Sequence, residues 1–197
     1  MLKVGISGGI GSGKSLASQH FKKLGAYVFD ADMEAKKLIV KNENIQQQLI
    51  EEFGSDIQNP DKMISNKKLA RVAFSSEDNQ AVLNAIIHPF VFDAIDVRFK
   101  NISGMGKYSM FVVDAALIYE SGLDQHLDYV IIVTAQYRHR LQHALERGNL
   151  SREEVIRRME LQLPEESKVS MADNVINNNG TLQDLKRQVD EIYKELI

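Results

Sequence analysis

The stretch Gly8–Ser15, which reads GGIGSGKS, constrains this chain more than any other. It matches the phosphate-loop pattern G-x-x-x-x-G-K-[S/T] at every fixed position. A short apolar strand signal at Leu2–Ser7 precedes it, and a helical stripe of Ala17, Phe21 and Leu24 follows it. Glycine-rich backbone between a strand and a helix lets successive amides converge on phosphate at the helix N-terminus. The predicted nucleotide contacts are Gly8, Gly9, Ile10, Gly11, Ser12, Gly13, Lys14, Ser15 and Leu16.

Three side chains in or near this loop have the chemistry that phosphate requires. Lys14 is placed to neutralise the β and γ phosphates, and the Ser15 hydroxyl is a magnesium ligand in loops of this pattern. Asp114 ends an apolar run, where it either holds a magnesium-bound water or serves as a turn carboxylate. We therefore expect ATP or GTP as ligand, with Mg²⁺.

Further apolar runs predict an α/β fold with a parallel sheet. They lie at residues 26–30, 110–114, 129–133 and 174–177, and near-continuous apolar character is typical of strands that are covered on both faces. Between Asp32 and Gly106 no strand is convincing, and helical stripes appear instead, one of them with Pro89 at its start. Residues 138–165 form a second helical excursion. The sequence predicts a five-stranded, doubly wound sheet flanked by helices, with two helical insertions.

Missing motifs narrow the class of nucleotide-binding protein. The sequence has no N-K-x-D guanine motif, and Asp114 is followed by Ala115, Ala116 and Leu117 where a GTPase switch has D-x-x-G. The L-S-G-G-Q signature of transporter ATPases is also missing. These observations favour a kinase that acts on a small molecule.

Composition excludes several other classes. The net charge is -3, so there is no overall cationic field for nucleic acid or an anionic membrane surface. The chain has no cysteine and therefore no disulfide or thiolate zinc site, and its five histidines show no zinc motif. No signal peptide is recognisable, and no stretch approaches about 18 consecutive apolar residues. We expect a cytoplasmic protein.

Acidic and basic side chains outside the loop indicate how phosphoryl transfer could occur. Asp30 and Asp32 follow the second predicted strand, at the edge where such sheets bind ligands, and Asp32 is the better candidate for a catalytic base. Either residue could instead cap a helix. Six of the nine arginines lie between residues 138 and 158, where they could clamp phosphates or form solvated ion pairs with Glu153 and Glu154. Arg140 is the strongest candidate for the clamp.

Taken together, these elements resemble the dephospho-CoA kinase family over nearly the whole chain. The resemblance rests on six segments in order: GISGGIGSGKS, FDAD, IIHPFV, VVDAALIYE, QYRHRLQHALERGNLSREEVIRRMELQ and ADNVINNNGTLQDL. It implies the P-loop kinase fold, and it implies that ATP phosphorylates the ribose 3′-hydroxyl of dephospho-CoA to give coenzyme A. Ser7 stands where the family has threonine, and Ala116 stands where it favours proline.

The resemblance also implies a division of labour along the chain. Residues 1–29, 107–137 and 166–197 correspond to the nucleotide-binding core, 30–106 to a coenzyme-binding domain and 138–165 to a lid. Asp32 corresponds to the family's catalytic carboxylate, and Arg140 corresponds to its lid arginine. Together with Lys14 they are the expected catalytic residues. The implied substrate contacts are Ser7, Asp32, His88, Leu117 and Arg140, and the implied metal ligands are Ser15 and Asp114.

Two other functions remain possible from the sequence. One is a kinase of the same architecture that acts on a nucleoside monophosphate, and the other is a non-catalytic nucleotide sensor that signals through its lid to a protein partner. For the function that the resemblance implies, we expect a monomer or weak homo-oligomer.

Overall fold

Five parallel strands form the sheet that the apolar runs predict. They are β1 (Leu2–Ser7), β2 (Tyr27–Asp30), β3 (Met110–Asp114), β4 (Tyr129–Thr134) and β5 (Asn174–Asn177). Their spatial order is β2-β3-β1-β4-β5, and every neighbouring pair is parallel. β3 is buried along its whole length, which explains its unbroken apolar run. The computed structural model that gives this architecture describes residues 1–148 and 150–197.

Ten helices accompany the sheet in the described residues. They are α1 (Lys14–Lys23), α2 (Ala31–Lys41), α3 (Glu43–Phe53), α4 (Asn66–Ala73), α5 (Glu77–Ser103), α6 (Ile118–Ser121), α7 (Tyr137–Glu146), α8 (Arg152–Glu160), α9 (Glu165–Met171) and α10 (Leu182–Leu196). Short 3-10 turns lie at Ser55–Ile57 and Leu123–His126. Ser151 and Thr181 form the N-terminal capping boxes of α8 and α10. In each box the side chain of the cap residue and that of the residue three positions later satisfy backbone amides at the helix start.

The prediction that a helix starts at Pro89 is wrong. Helix α5 runs unbroken from Glu77 to Ser103 and contains Pro89 in its interior. A proline inside a helix removes a backbone hydrogen bond, but Ile86, Ile87 and Val91 around it are buried and favour the helical path. By length and composition α5 could also cross a membrane, with a mean hydropathy of 1.2. That is weak evidence, since core helices of soluble proteins meet the same criterion.

The chain divides into two compact units. The larger unit comprises Met1–Asp30 and Val97–Ile197, and the smaller one comprises Ala31–Asp96. In the larger unit, α1 and α10 cover one face of the sheet, where the Phe21 and Tyr193 rings meet edge to face at 6.3 Å. The smaller unit is helical apart from its turns and one isolated bridge between Gln58 and Ile64. The coenzyme-binding and lid boundaries, 30–106 and 138–165, stay predictions.

Candidate nucleotide-binding site

The phosphate loop turns sharply between β1 and α1. Gly11 and Gly13 have φ values of 78° and 97°, in the left-handed region that disfavours side chains, and Gly13 is the N-cap of α1. The Ser12 amide donates to the Gly9 carbonyl at 3.0 Å and closes a tight turn within the loop. Lys14 and Ser15 therefore stand in the first turn of α1, where the helix dipole favours anions.

The outer side of the loop packs closely against other parts of the chain. A Cβ atom added at Gly8, Gly9, Gly11 or Gly13 would approach a neighbouring atom more closely than real Cβ atoms do. At Gly8 the obstacle is the Val133 carbonyl, and at Gly9 it is the Arg140 guanidinium. A side chain at any of these four positions would thus overlap the protein's own atoms, and at Gly11 and Gly13 the left-handed backbone favours glycine as well.

Lys14 and Asp114 form an ion pair at the carboxyl edge of the sheet. Lys14 Nζ donates to Asp114 Oδ1, and Asp114 is only 8% exposed. Asp114 lies beside Asp30 and Ile6 in the registers of the neighbouring parallel strands. This arrangement places a cation and a carboxylate together where the loop begins its helix. No cluster of three or more histidine or carboxylate side chains that could hold a metal occurs among the described residues.

Arg140 on α7 reaches the phosphate loop. Its Nη1 donates to Glu165 Oε2 at 2.8 Å, and each of these side chains is 12% exposed. Arg140 Nε and Glu165 Oε1 have no hydrogen-bond partner within the described part of the chain. Arg147, the C-cap of α7, has an exposed side chain. The structure thus brings Arg140 to the loop, as the prediction requires.

The predicted acceptor residues are distributed over both units. In the larger unit Ser7 is buried and its hydroxyl donates to the Ala116 carbonyl at 3.1 Å, while Leu117 immediately precedes α6. In the smaller unit Asp32 is exposed in the first turn of α2, and the half-buried His88 stacks on the Phe92 ring at 6.0 Å. Their contacts with substrate stay predictions.

The start of α2 bears on the helix-cap alternative for the two aspartates. Asp30 immediately precedes Ala31, the first residue of α2, whereas Asp32 lies inside the helix. The position before the helix is the one that caps it. Asp30 therefore has the position of a helix cap, whereas Asp32 does not.

Three further side chains contact the loop and were not predicted. Gln162 Oε1 accepts a hydrogen bond from the Ile10 amide at 3.1 Å. His143 Nδ1 lies 3.0 Å from the Gly11 carbonyl oxygen, and Asn178 Nδ2 donates to the Ser12 carbonyl at 2.8 Å. All three lie more than a hundred residues from their partners, so no local spacing signals them.

A cavity of about 340 Å³ lies beside Arg140, within the larger unit. Its lining combines carboxylates, a guanidinium, an amide and apolar side chains: Tyr137, Arg140, Ile156, Met159, Glu160, Gln162, Leu163, Pro164, Glu165 and Glu166.

The pKa of the Tyr119 hydroxyl on α6 differs from its ordinary value. Burial raises this pKa to about 12, and the charges of Asp173 and Asp124 add to the effect. The Tyr119 hydroxyl therefore stays protonated at neutral pH.

Comparisons with known proteins decide the family. The sequence model of dephospho-CoA kinase matches residues 2–184. The chain belongs to the dephospho-CoA kinase family. A relative from Corynebacterium glutamicum, named dephospho-CoA kinase, is 35% identical over 100% of this chain and 98% of its own length. The family catalyses the ATP-dependent phosphorylation of dephospho-CoA, the last step of coenzyme A biosynthesis, so the chain is a kinase and ATP is its co-substrate.

Solved structures agree with this assignment of the fold. The crystal structure of TT1252 from Thermus thermophilus is similar with a TM-score of 0.78 and 29% identity, covering 100% of this chain and 98% of that one. Dephospho-CoA kinase from Campylobacter jejuni has a TM-score of 0.61 at 22% identity, covering 98% and 96% of the two chains, and supports the fold alone. The predicted P-loop kinase fold, with its five-stranded parallel sheet, is confirmed.

Proposed function

We propose that this dephospho-CoA kinase family member transfers the γ-phosphoryl group of ATP to the ribose 3′-hydroxyl of dephospho-CoA. One structural observation carries the residue assignment: the Arg140 guanidinium, paired with Glu165, lies against Gly9 of the phosphate loop. An arginine at this position can neutralise charge on a phosphoryl group as it moves from the loop to an acceptor. Phosphoryl transfer depends mainly on such positioning and charge neutralisation.

The loop and Lys14 form the proposed ATP site, which comprises residues 8–16. The loop amides at the start of α1 would bind the phosphates, and Lys14 would leave or share its pair with Asp114 to reach them. Ser15 and Asp114 supply the hydroxyl and carboxylate oxygens that Mg²⁺ prefers, so they fit that ion. When bound, Mg²⁺ would neutralise charge between the β and γ phosphates.

On the acceptor side we assign the catalytic base to Asp32. Asp32 is exposed to solvent in the first turn of α2. It would take the 3′-hydroxyl proton as that oxygen bonds to the γ-phosphorus, and the bond to the bridging oxygen would break to release ADP. Residues 30–106 would bind the coenzyme, with His88 contributing there and Ser7 and Leu117 contributing from the core.

The proposed lid, residues 138–165, carries Arg140 and would exclude water that competes with the acceptor hydroxyl. Asn149 within this segment lies outside the described residues. We further propose that the enzyme acts in the cytoplasm as a monomer or weak homo-oligomer. Neither nucleic acid nor a membrane is required as a partner.

Acceptor dependence provides the test of this function. ADP release is measured with dephospho-CoA and with a panel of nucleoside monophosphates, and the product is located by phosphorus NMR. We expect stimulation by dephospho-CoA and a new phosphate on the ribose 3′-oxygen. Preference for a nucleoside monophosphate, or stoichiometric ATP binding without turnover on any acceptor, would contradict the proposal.

A matched pair of arginine variants tests whether Arg140 contacts the transferred phosphoryl group. Arg140→Lys keeps the charge but loses the planar guanidinium, and we expect it to lower kcat about 100-fold. Arg147→Lys makes the same change on an exposed residue of the same segment and should leave kcat unchanged. Equal kcat values for the two variants would contradict the proposal that Arg140 neutralises charge on the transferred phosphoryl group.

A further inference from the structure

One residue of the phosphate loop is held by the helical segment that follows β4. The Ile10 side chain packs against an apolar cluster of Leu141, Ala144 and Val155 on α7 and α8. Its amide donates to Gln162 Oε1, just beyond the end of α8. Ile10 is thus fixed at both its side chain and its backbone. A displacement of α7 and α8 would therefore displace the loop.

Gln162 itself is anchored to the core of the larger unit. The next residue, Leu163, donates its amide to Glu120 Oε1 at 3.1 Å. The same Glu120 oxygen lies 2.7 Å from Lys168 Nζ, whose side chain is fully buried. A buried ion pair resists the loss of either partner, because the remaining charge would be left without compensation. The backbone that carries Gln162 is therefore held from two sides, by the end of α8, where the Gln162 amide donates to the Met159 carbonyl at 3.3 Å, and by Glu120 on α6.

Loop conformation controls phosphate affinity because the loop amides must converge on the phosphate oxygens. Gln162 is the only side chain in the described part of the chain for which a hydrogen bond to the Ile10 amide is observed. We propose that Gln162 is a positioning residue for ATP: through the Ile10 amide it fixes the phosphate loop in its binding conformation. This inference rests on the proposed function only in taking ATP as the nucleotide.

Two substitutions separate the hydrogen bond from the bulk of the side chain. Gln162→Met has a similar length and no comparable oxygen acceptor, whereas Gln162→Glu retains the oxygen. Gln183→Met on the exposed surface of α10 is the matched control. The hydrogen bond from the Ile10 amide to Gln162 is monitored directly by hydrogen exchange at that amide, followed by NMR on the full chain without nucleotide. We expect exchange about tenfold faster in Gln162→Met, and exchange at the wild-type rate in Gln162→Glu and Gln183→Met.

Calorimetry with ATP and with ADP then measures how the loss of this hydrogen bond changes nucleotide affinity. Gln162→Met should weaken both nucleotides about five- to tenfold, because losing one hydrogen bond loosens a loop that holds the phosphates common to both. Unchanged Ile10 exchange or unchanged affinity in Gln162→Met would overturn the inference. Loss of ATP affinity with ADP affinity retained would also overturn it, since Gln162 would then contact the terminal phosphate itself. Failure of the wild-type chain to bind ATP would instead overturn the proposed function.

Discussion

Replacing Gly9 by alanine tests whether the position of Arg140 over the phosphate loop matters for phosphoryl transfer. Gly9 does not adopt a left-handed backbone, so an alanine introduces no backbone strain. The added Cβ atom would overlap Arg140 Nη1 and lie 2.6 Å from Glu165 Oε2. To reach an ordinary contact distance of 3.4 Å, Glu165 Oε2 must retreat by about 0.8 Å and the guanidinium by more.

A displacement of about 1 Å at a positioning group lowers a rate about 100-fold, which corresponds to about 2.7 kcal/mol in the activation free energy. The free energy of unfolding should change much less. The obstacles are the ends of two flexible side chains, so the overpacking cost should be about 1 kcal/mol, or a few degrees in Tm. Gly9→Ala is therefore expected to lose turnover while remaining folded.

The assay is dephospho-CoA-dependent ADP release at saturating ATP, with Tm measured in parallel. Gly104→Ala is the control, since its Cβ atom would meet only ordinary contacts at 3.6 Å and 3.8 Å. The expected result is a kcat about 100-fold below that of Gly104→Ala, with similar Tm values. Wild-type kcat in Gly9→Ala would refute the idea that transfer requires Arg140 at this place.

Three more substitutions test separate parts of the site and fold. Asp32→Asn should lower kcat 10²- to 10⁴-fold, in the order-of-magnitude range for a catalytic base, with calorimetric ATP affinity retained; full activity would exclude the base role. Asp114→Asn should raise the magnesium concentration for half-maximal activity about tenfold, and an unchanged magnesium titration would exclude Asp114 from the metal site. Hydrogen bonds from the Thr181 side chain and backbone hold the pKa of Asp184 below its usual 3.8. These hydrogen bonds therefore stabilise the folded state above pH 3.8, and that stabilisation is lost as the pH falls through the folded-state pKa. Asp184→Asn should accordingly lower Tm at neutral pH, and this difference in Tm from wild type should shrink as the pH is lowered below 3.8; a difference that stays constant over that range would argue against this linkage.

Features encoded by neighbouring residues were predictable from the sequence. The phosphate loop depends on residues within a few positions of one another, and the structure has it between β1 and α1, where the sequence predicts it. Strands β3 and β5 match their apolar runs residue for residue. β4 extends one residue further, to Thr134, and β2 starts one residue later, at Tyr27.

Features that depend on distant contacts were not predictable. Pro89 has a local preference for a helix start, but buried neighbours on both sides favour one continuous helix. Lys168 would be expected in solvent on a short helix, yet it is fully buried because Glu120 on α6 supplies its counter-charge. Gln162 has no motif around it, and its relation to Ile10 appears only when the chain is folded.

The strand order has a consequence for how the protein is made. Within residues 1–148 and 150–197, β1 pairs only with β3 and β4, and β2 pairs only with β3. Leu2 lies opposite Met110, and Ile6 lies opposite Ile131. Neither early strand has a partner in the sheet until β3 has been synthesised. The helices from Ala31 to Asp96 can form before β3 is synthesised, because their hydrogen bonds join residues that are close in sequence. During translation the phosphate loop therefore leaves the ribosome before β3 does, and the strand that precedes it has no neighbour in the sheet until β3 follows.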